Sequence, residues 1–301
     1  MSRKNVSDWL LSQNRYEGES RFSDKKLEGK ATTISITAGK GGVGKTSAAL
    51  KIAKTLAAQG YKTLLIDCDF NLANTAVKLG LPVNDDFSAL IKAEKTFEEV
   101  VHKDGQFHLL SGCNGNLELF ENKLEFEKII LDVIVGHERE FDFILLDSPA
   151  GLQKDTLTIN AYSDYRFVVV TPDKSSITDS YSLIKILNNK YGVKHNHLLV
   201  NKVSSLGQYQ KIVKTLSETI DHFLGGRVNV LGSIGYEVSA VDKFDQTLFG
   251  SANSAIHKNF IKVVHRFTEE NFGTLISSKE KFEMPFANSR SGKQDVQPTI
   301  C

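Results

Sequence analysis

From Thr32 onward, short apolar runs alternate with longer stretches in which apolar residues recur at helical spacing. Residues 33–38, 63–67, 108–110, 143–147, 167–171, 197–200 and 228–234 read as strands. Most are almost continuously apolar, the pattern of strands covered on both faces. Residues 47–59, 117–135, 177–190 and 208–224 read as helices; in the last, Ile212, Leu216, Ile220, Phe223 and Leu224 share one side. A further helix opens at Ser254, with Ile256, Phe260, Val263, Val264 and Phe267 on one face, and this marks it as a core helix. Strands alternating with helices predict an α/β fold: a mostly parallel twisted sheet with helices on both faces. No internal repeat is present.

The pattern stops at both ends. Residues 1–31 read as a polar tail, 32–270 as the folded domain and 271–301 as a second tail. Inside the first tail, Val6-Ser7-Asp8-Trp9-Leu10-Leu11 predicts a short capped helix carrying the only Trp. Such a stub docks either on a partner or on its own protein.

A chain of 301 residues, 41% hydrophobic and 24% charged, is long enough for one large core plus tails. A net charge of +1 gives no overall attraction to nucleic acid. Cys68, Cys113 and Cys301 form no metal-type pair and are too few for a disulfide framework, so a reducing cytoplasm is expected. No run approaches about 20 apolar residues, the length of a membrane span. The first 30 residues lack the apolar core of a signal peptide.

The candidate chemistry begins at the end of the first strand. Gly39-Lys40-Gly41-Gly42-Val43-Gly44-Lys45-Thr46 satisfies the spacing of a phosphate-binding loop, followed by Ser47 and a helix. Glycines let the backbone N–H groups close on phosphate oxygens, and the helix N-terminus favours the anion. Lys45 would reach the β- and γ-phosphates of a nucleotide, and the Thr46 hydroxyl would ligate Mg²⁺. Lys40 is a second cation in the loop that the ordinary motif does not require.

Two more strands end in acids. Asp67 and Asp69 close the run Leu64-Leu65-Ile66-Asp67-Cys68-Asp69; if the strand persists they share a face. Phe143-Ile144-Leu145-Leu146-Asp147 delivers a carboxylate suited to holding Mg²⁺ directly or through water. Leu198-Leu199-Val200-Asn201-Lys202 ends in an amide that can donate to and accept from a purine edge. Tyr236 follows the last strand, and packing is its reading from the residues alone. His195 and His197 are read as surface residues at a strand start rather than metal ligands.

Lys40-Gly41-Gly42-Val43-Gly44-Lys45-Thr46 resembles the deviant phosphate loop of the MinD/ParA family of ATPases, and Asp147-Ser148-Pro149-Ala150-Gly151 resembles its second switch. The run from Thr171 to Lys185, with Pro172, Ser176, Thr178, Asp179, Tyr181 and Leu183, resembles the flagellar-number regulators of the FlhG/FleN branch. The resemblance covers about residues 31–267. It implies ATP and Mg²⁺ as cofactors, bound by Gly39, Gly41, Gly42, Val43, Gly44, Lys45, Thr46 and Ser47, with Asn201 and Lys202 at the adenine end. It implies that Asp69 positions the attacking water, that Asp67 lies in the metal's outer shell, and that Lys40 acts in trans in an ATP-dependent homodimer. Implied partners are an SRP-type flagellar GTPase (FlhF-like) or a flagellar transcription regulator.

The ends depart from the branch. Asp8-Trp9-Leu10-Leu11 lacks the Gln-Ala and Arg of the usual GTPase-stimulating segment. Residues 272–286 stand where a membrane-binding helix belongs, yet carry Glu280, Glu283 and Pro285. Peripheral membrane binding and a plain tail both remain readings of that stretch. Alternatives for the whole chain are ParA-type DNA partitioning, which the charge disfavours, and a non-hydrolysing nucleotide scaffold. A cluster cysteine after Asp147, a C-x-x-C pair and a Gly-x-Ser-x-Gly elbow are all missing from the sequence. That excludes an iron-protein relative, an iron–sulfur carrier and a serine hydrolase of that type.

Overall fold

The apolar runs form strands whose successive residues face opposite layers. In β5 (Phe143–Asp147), Phe143 and Leu145 join one core while Ile144 and Leu146 join another. The computed structural model describes residues 29–69, 74–84, 86–112, 125–237, 245, 248–249 and 254–272. The N-terminal stub, Cys113, Cys301 and the candidate membrane segment beyond 272 lie outside the described residues.

In chain order the elements are β1 (Thr32–Thr37), α1 (Lys45–Ala58), β2 (Thr63–Asp67), α2 (Asn74–Lys78), α3 (Asp86–Ile91), α4 (Phe97–Val100), β3 (His102–Asp104) and β4 (Phe107–Leu110). There follow α5 (Phe126–His137), β5, α6 (Lys154–Tyr162), β6 (Tyr165–Val170), α7 (Lys174–Tyr191), β7 (His195–Val203), α8 (Leu206–Leu224), β8 (Arg227–Gly235) and α9 (Ala255–Phe272). The sheet order is β3-β4-β2-β5-β1-β6-β7-β8, parallel throughout except for the short β3–β4 pair. The predicted α/β architecture is therefore observed. The strand order reverses around β1, so the C-terminal end of β1 opens on a crevice, the usual ligand position in such sheets.

One face of the sheet packs α1 and α9. The other packs α3 to α6 over one half and α7 and α8 over the other. Ile256, Phe260, Val263, Val264 and Phe267 of α9 are all buried, as their spacing predicts. Helix ends follow their signals. Asp173 caps α7 by accepting from Ser176 N–H, Ser205 caps α8, and Gly192 and Gly225 close them in the left-handed region.

Three sequence expectations change. The helix expected over 117–135 is described only as α5, Phe126–His137, since 113–124 lie outside the described residues. Strand β6 starts two residues before the expected 167, through Arg166. A charge argues against a buried strand, but here the guanidinium donates to the carbonyls of Asn160, Ser163, Asp164 and His195. His195 is exposed as expected, whereas His197 is buried. Its ring packs among Tyr165, Phe167 and Phe267.

Burial, with the charge of Arg166 beside it, holds the His197 pKa down to about 3 against an ordinary 6.5. The unfolded chain takes up that proton below pH ~6.5 and the folded one does not, so stability falls as the pH drops from there towards 3. The slope is about 1.4 kcal/mol per pH unit. His197→Leu should remove this component. Urea midpoints of wild type and variant should diverge steadily from pH 6.5 to 4.5; parallel curves would refute it.

Candidate functional site

The site is built on the chain between β1 and α1. Gly42 and Gly44 have φ values of 75° and 97°, a left-handed region that side chains avoid. Gly39 is required by a close approach: a Cβ there would stand 2.2 Å from the backbone of Asp179 in α7. Strand β7 braces the loop from the side. Asn201 Nδ2 donates to Val43 O at 2.8 Å, and Lys202 Nζ donates to Gly42 O at 2.9 Å. In a trans peptide the next N–H points opposite to the carbonyl. Fixing these two carbonyls towards β7 therefore turns the N–H groups of Val43 and Gly44 the other way, as an anion cradle needs. Asn201 Oδ1 accepts from Lys202 N–H at 2.9 Å, so the amide predicted for adenine is engaged within the chain at both ends. Lys202 itself sits at φ 58°, a left-handed residue at the irregularity between the Val200 and Val203 pairings with β8.

At the other side of the loop stand three carboxylates, of which Asp147 and Asp69 act on Lys45. Parallel pairing of β2 and β5 sets Asp67 opposite Asp147, and both are buried. Burial and the neighbouring Asp67 push Asp147 up to about 8, against the pull of the Thr46 hydroxyl and Lys45. Burial likewise raises Asp67 to about 6, opposed by hydrogen bonds from Thr75 and Asp69. Burial lowers the Lys45 ammonium, while Asp147 and Asp69 hold it up.

The donor set suits Mg²⁺. Asp147 Oδ1 is buried without a hydrogen-bond partner, beside the Thr46 hydroxyl. Hard oxygen ligands from one carboxylate and one hydroxyl, completed by water and phosphate, are what this ion takes.

The structure adjusts the expectation for Asp69. Strand β2 ends at Asp67, so the two acids do not alternate along one strand. Asp69 follows two residues past the strand end, half-buried, with its N–H on Asp67 Oδ1 at 3.0 Å. Its charge still acts on Lys45.

Lys40 lies apart from the acids. Its ammonium contacts Asp173 Oδ1 at 3.0 Å and Ser175 Oγ at 2.7 Å. It borders a cavity of about 380 Å³ lined also by Gly41, Gly42, Val43, Thr171, Pro172, Asp173, Lys202, Ser204, Gln208 and Tyr236. None of Asp67, Asp69 and Asp147 lines it. Tyr236 is 56% exposed at its rim, which sets aside the packing reading. Asp173 and Ser175, which hold Lys40, escaped the sequence reading because they register there only as helix-capping residues.

A phosphate loop at the sheet's switch point, with a lysine and buried acids behind it, defines a P-loop nucleotide hydrolase. A family model described as AAA domain matches residues 31–211. The chain is similar to the antiactivator FleN of Pseudomonas aeruginosa, 27% identical over 207 residues that cover 68% of this chain and 74% of that protein. It is also similar to the flagellum site-determining protein YlxH of Helicobacter pylori, 31% identical over 220 residues, covering 69% and 72% of the two chains. Among solved structures it is similar to the MinC:MinD cell division protein complex of Aquifex aeolicus, with a TM-score of 0.61, 26% identity, and 79% and 96% coverage. The chain belongs to the MinD/ParA family of P-loop ATPases, on its FleN-like branch. It is an ATP hydrolase.

Proposed function

We propose that the protein is an ATP-dependent dimerisation switch that regulates flagellar number or placement. The observation that carries the switch is the placement of Lys40. It is a second loop cation, 42% exposed, held at a cavity rim away from the acids that act on Lys45. The ordinary phosphate loop does not require it, and its exposure leaves it accessible to a second subunit. Its contact with Asp173, which is itself 46% exposed, belongs to a class worth about 0.2–1 kcal/mol. Two subunits closing on two nucleotides can displace so weak a tie. The names of the FleN and YlxH relatives support the flagellar part.

In this reading the loop N–H groups and Lys45 grip the phosphates, and Thr46 and Asp147 hold Mg²⁺. The ion, when bound, neutralises charge on the β- and γ-phosphates. Asp69 orients the water for attack on the γ-phosphorus. Lys202 and Tyr236 border the cavity offered to the base, and Asn201 braces the phosphate loop beside it. Hydrolysis removes the γ-phosphate that the switches sense, and the dimer parts. We place the protein in the cytoplasm, with the chain beyond 272 as the candidate peripheral membrane contact and a flagellar protein as its partner.

The test is light scattering of the Asp69→Ala protein, which holds ATP unhydrolysed, with and without Lys40→Ala. ATP and Mg²⁺ should double the mass of the single variant and leave the double variant monomeric. A dimer in both would overturn the role of Lys40; a monomer in both would overturn the switch. Capture on DNA at two salt concentrations tests the partitioning alternative, and no salt-sensitive binding is expected.

A further inference from the structure

The acids of this site have a hydrogen-bonding neighbour that no motif contains. Thr75 is the second residue of α2 and is fully buried. Its hydroxyl donates to Asp67 Oδ2 at 2.7 Å, and its N–H reaches the same oxygen at 3.3 Å. The other carboxylate oxygen, Oδ1, accepts the N–H of Asp69 at 3.0 Å. One side chain at the end of β2 therefore ties down the chain at residue 69 and again at residue 75. Asp67 is immobile because β2 lies between β4 and β5 in the sheet.

We infer that Thr75 is a positioning residue for ATP hydrolysis, acting through Asp67 on Asp69. The physical argument is one of rotamers. A carboxylate bonded at one oxygen only can turn about its terminal torsion, which is soft. With Thr75 on Oδ2 and the Asp69 N–H on Oδ1, both oxygens are committed and that torsion is fixed. The Asp69 backbone is then fixed with it, and so is the place from which its carboxylate meets water. Without the hydroxyl, Oδ2 keeps only the longer backbone contact, and a buried carboxylate short of donors seeks others. Any new partner would be reached at the cost of Asp69.

This inference rests on the role given to Asp69, so its test separates the two. Thr75→Val keeps the shape and removes the hydroxyl; Thr75→Ser keeps the hydroxyl and removes the methyl. Steady-state ATP turnover should fall about 10- to 100-fold in kcat for the Val variant, the usual range for misplacing a site through its supporting shell. KM should stay within about twofold, because the phosphate loop is untouched, and the Ser variant should keep wild-type kcat within about threefold. A purely packing role gives the reverse order, Val active and Ser impaired, and would overturn the inference, as would wild-type kcat in the Val variant. If the Val protein does not fold, Thr75→Ala against Thr75→Ser makes the same comparison at equal loss of the methyl. Ser active with Ala impaired supports the inference, and equal rates overturn it. Wild-type kcat in Asp69→Ala would instead retire the reading of Asp69, and that result is obtained independently.

Discussion

Asp147→Asn is expected to raise the melting temperature measured without nucleotide, by about 5–10 °C at pH 7.5, while ending Mg²⁺-dependent ATP turnover. The two effects share one cause. Asp147 is buried opposite Asp67, and its pKa stands at about 8 rather than 3.8. A group whose folded pKa is raised gives stability that is full below its unfolded pKa and is lost as the pH rises through the folded one. At pH 7.5 the unfolded chain has released this proton and the folded chain still holds most of it. The difference is on the order of 3–5 kcal/mol against the fold. Asn carries no charge to desolvate, so the variant escapes the penalty and also loses the ligand. The stability gap should therefore widen from pH 4 to pH 8 and level off above, which thermal melts across that range would show. Adding MgATP should stabilise the wild type and narrow the gap. A variant that melts below the wild type at every pH would show that Asp147 is held by its neighbours rather than strained by them.

The phosphate loop was legible in the sequence because its chemistry is local: glycines, a lysine and a threonine at fixed spacing. The fold was legible for a related reason. Strands such as β5 are apolar on both faces, and that pattern does not depend on which strand lies beside them. What the sequence could not show depends on pairing. Asp67 and Asp147 are 80 residues apart and meet only because β2 and β5 are adjacent. Asn201 reads as an adenine ligand from its motif, while its amide braces Val43 across 158 residues. His197 was misjudged, and Arg166 fell outside its expected strand, because burial of a polar side chain is decided by the carbonyls and rings that surround it. Thr75 belongs to no motif and went unread, since its worth comes from a strand end eight positions earlier.

Asp69→Ala should lower kcat for ATP hydrolysis by about 10²- to 10⁴-fold and leave nucleotide affinity within about threefold. The asymmetry follows from position. Asp69 lies just past β2, half-buried, outside the phosphate loop, and bears on the Thr46–Asp147 pair only through its charge. In the proposed role it would act on the water and not on the grip. Removing its charge also takes away one of the two carboxylates that hold the Lys45 ammonium charged, with Asp147 remaining. That loss is the smaller effect, so binding changes little. The expected product is a protein that loads ATP and does not discharge it. Rapid-quench single turnover against equilibrium binding of a fluorescent ATP analogue separates the two quantities. Equal losses in both would mean that Asp69 supports the bound nucleotide as a whole. An unchanged single-turnover rate would move the water to another residue, and among the described acids of this cluster only Asp67 and Asp147 remain, both already committed to holding the chain or the metal.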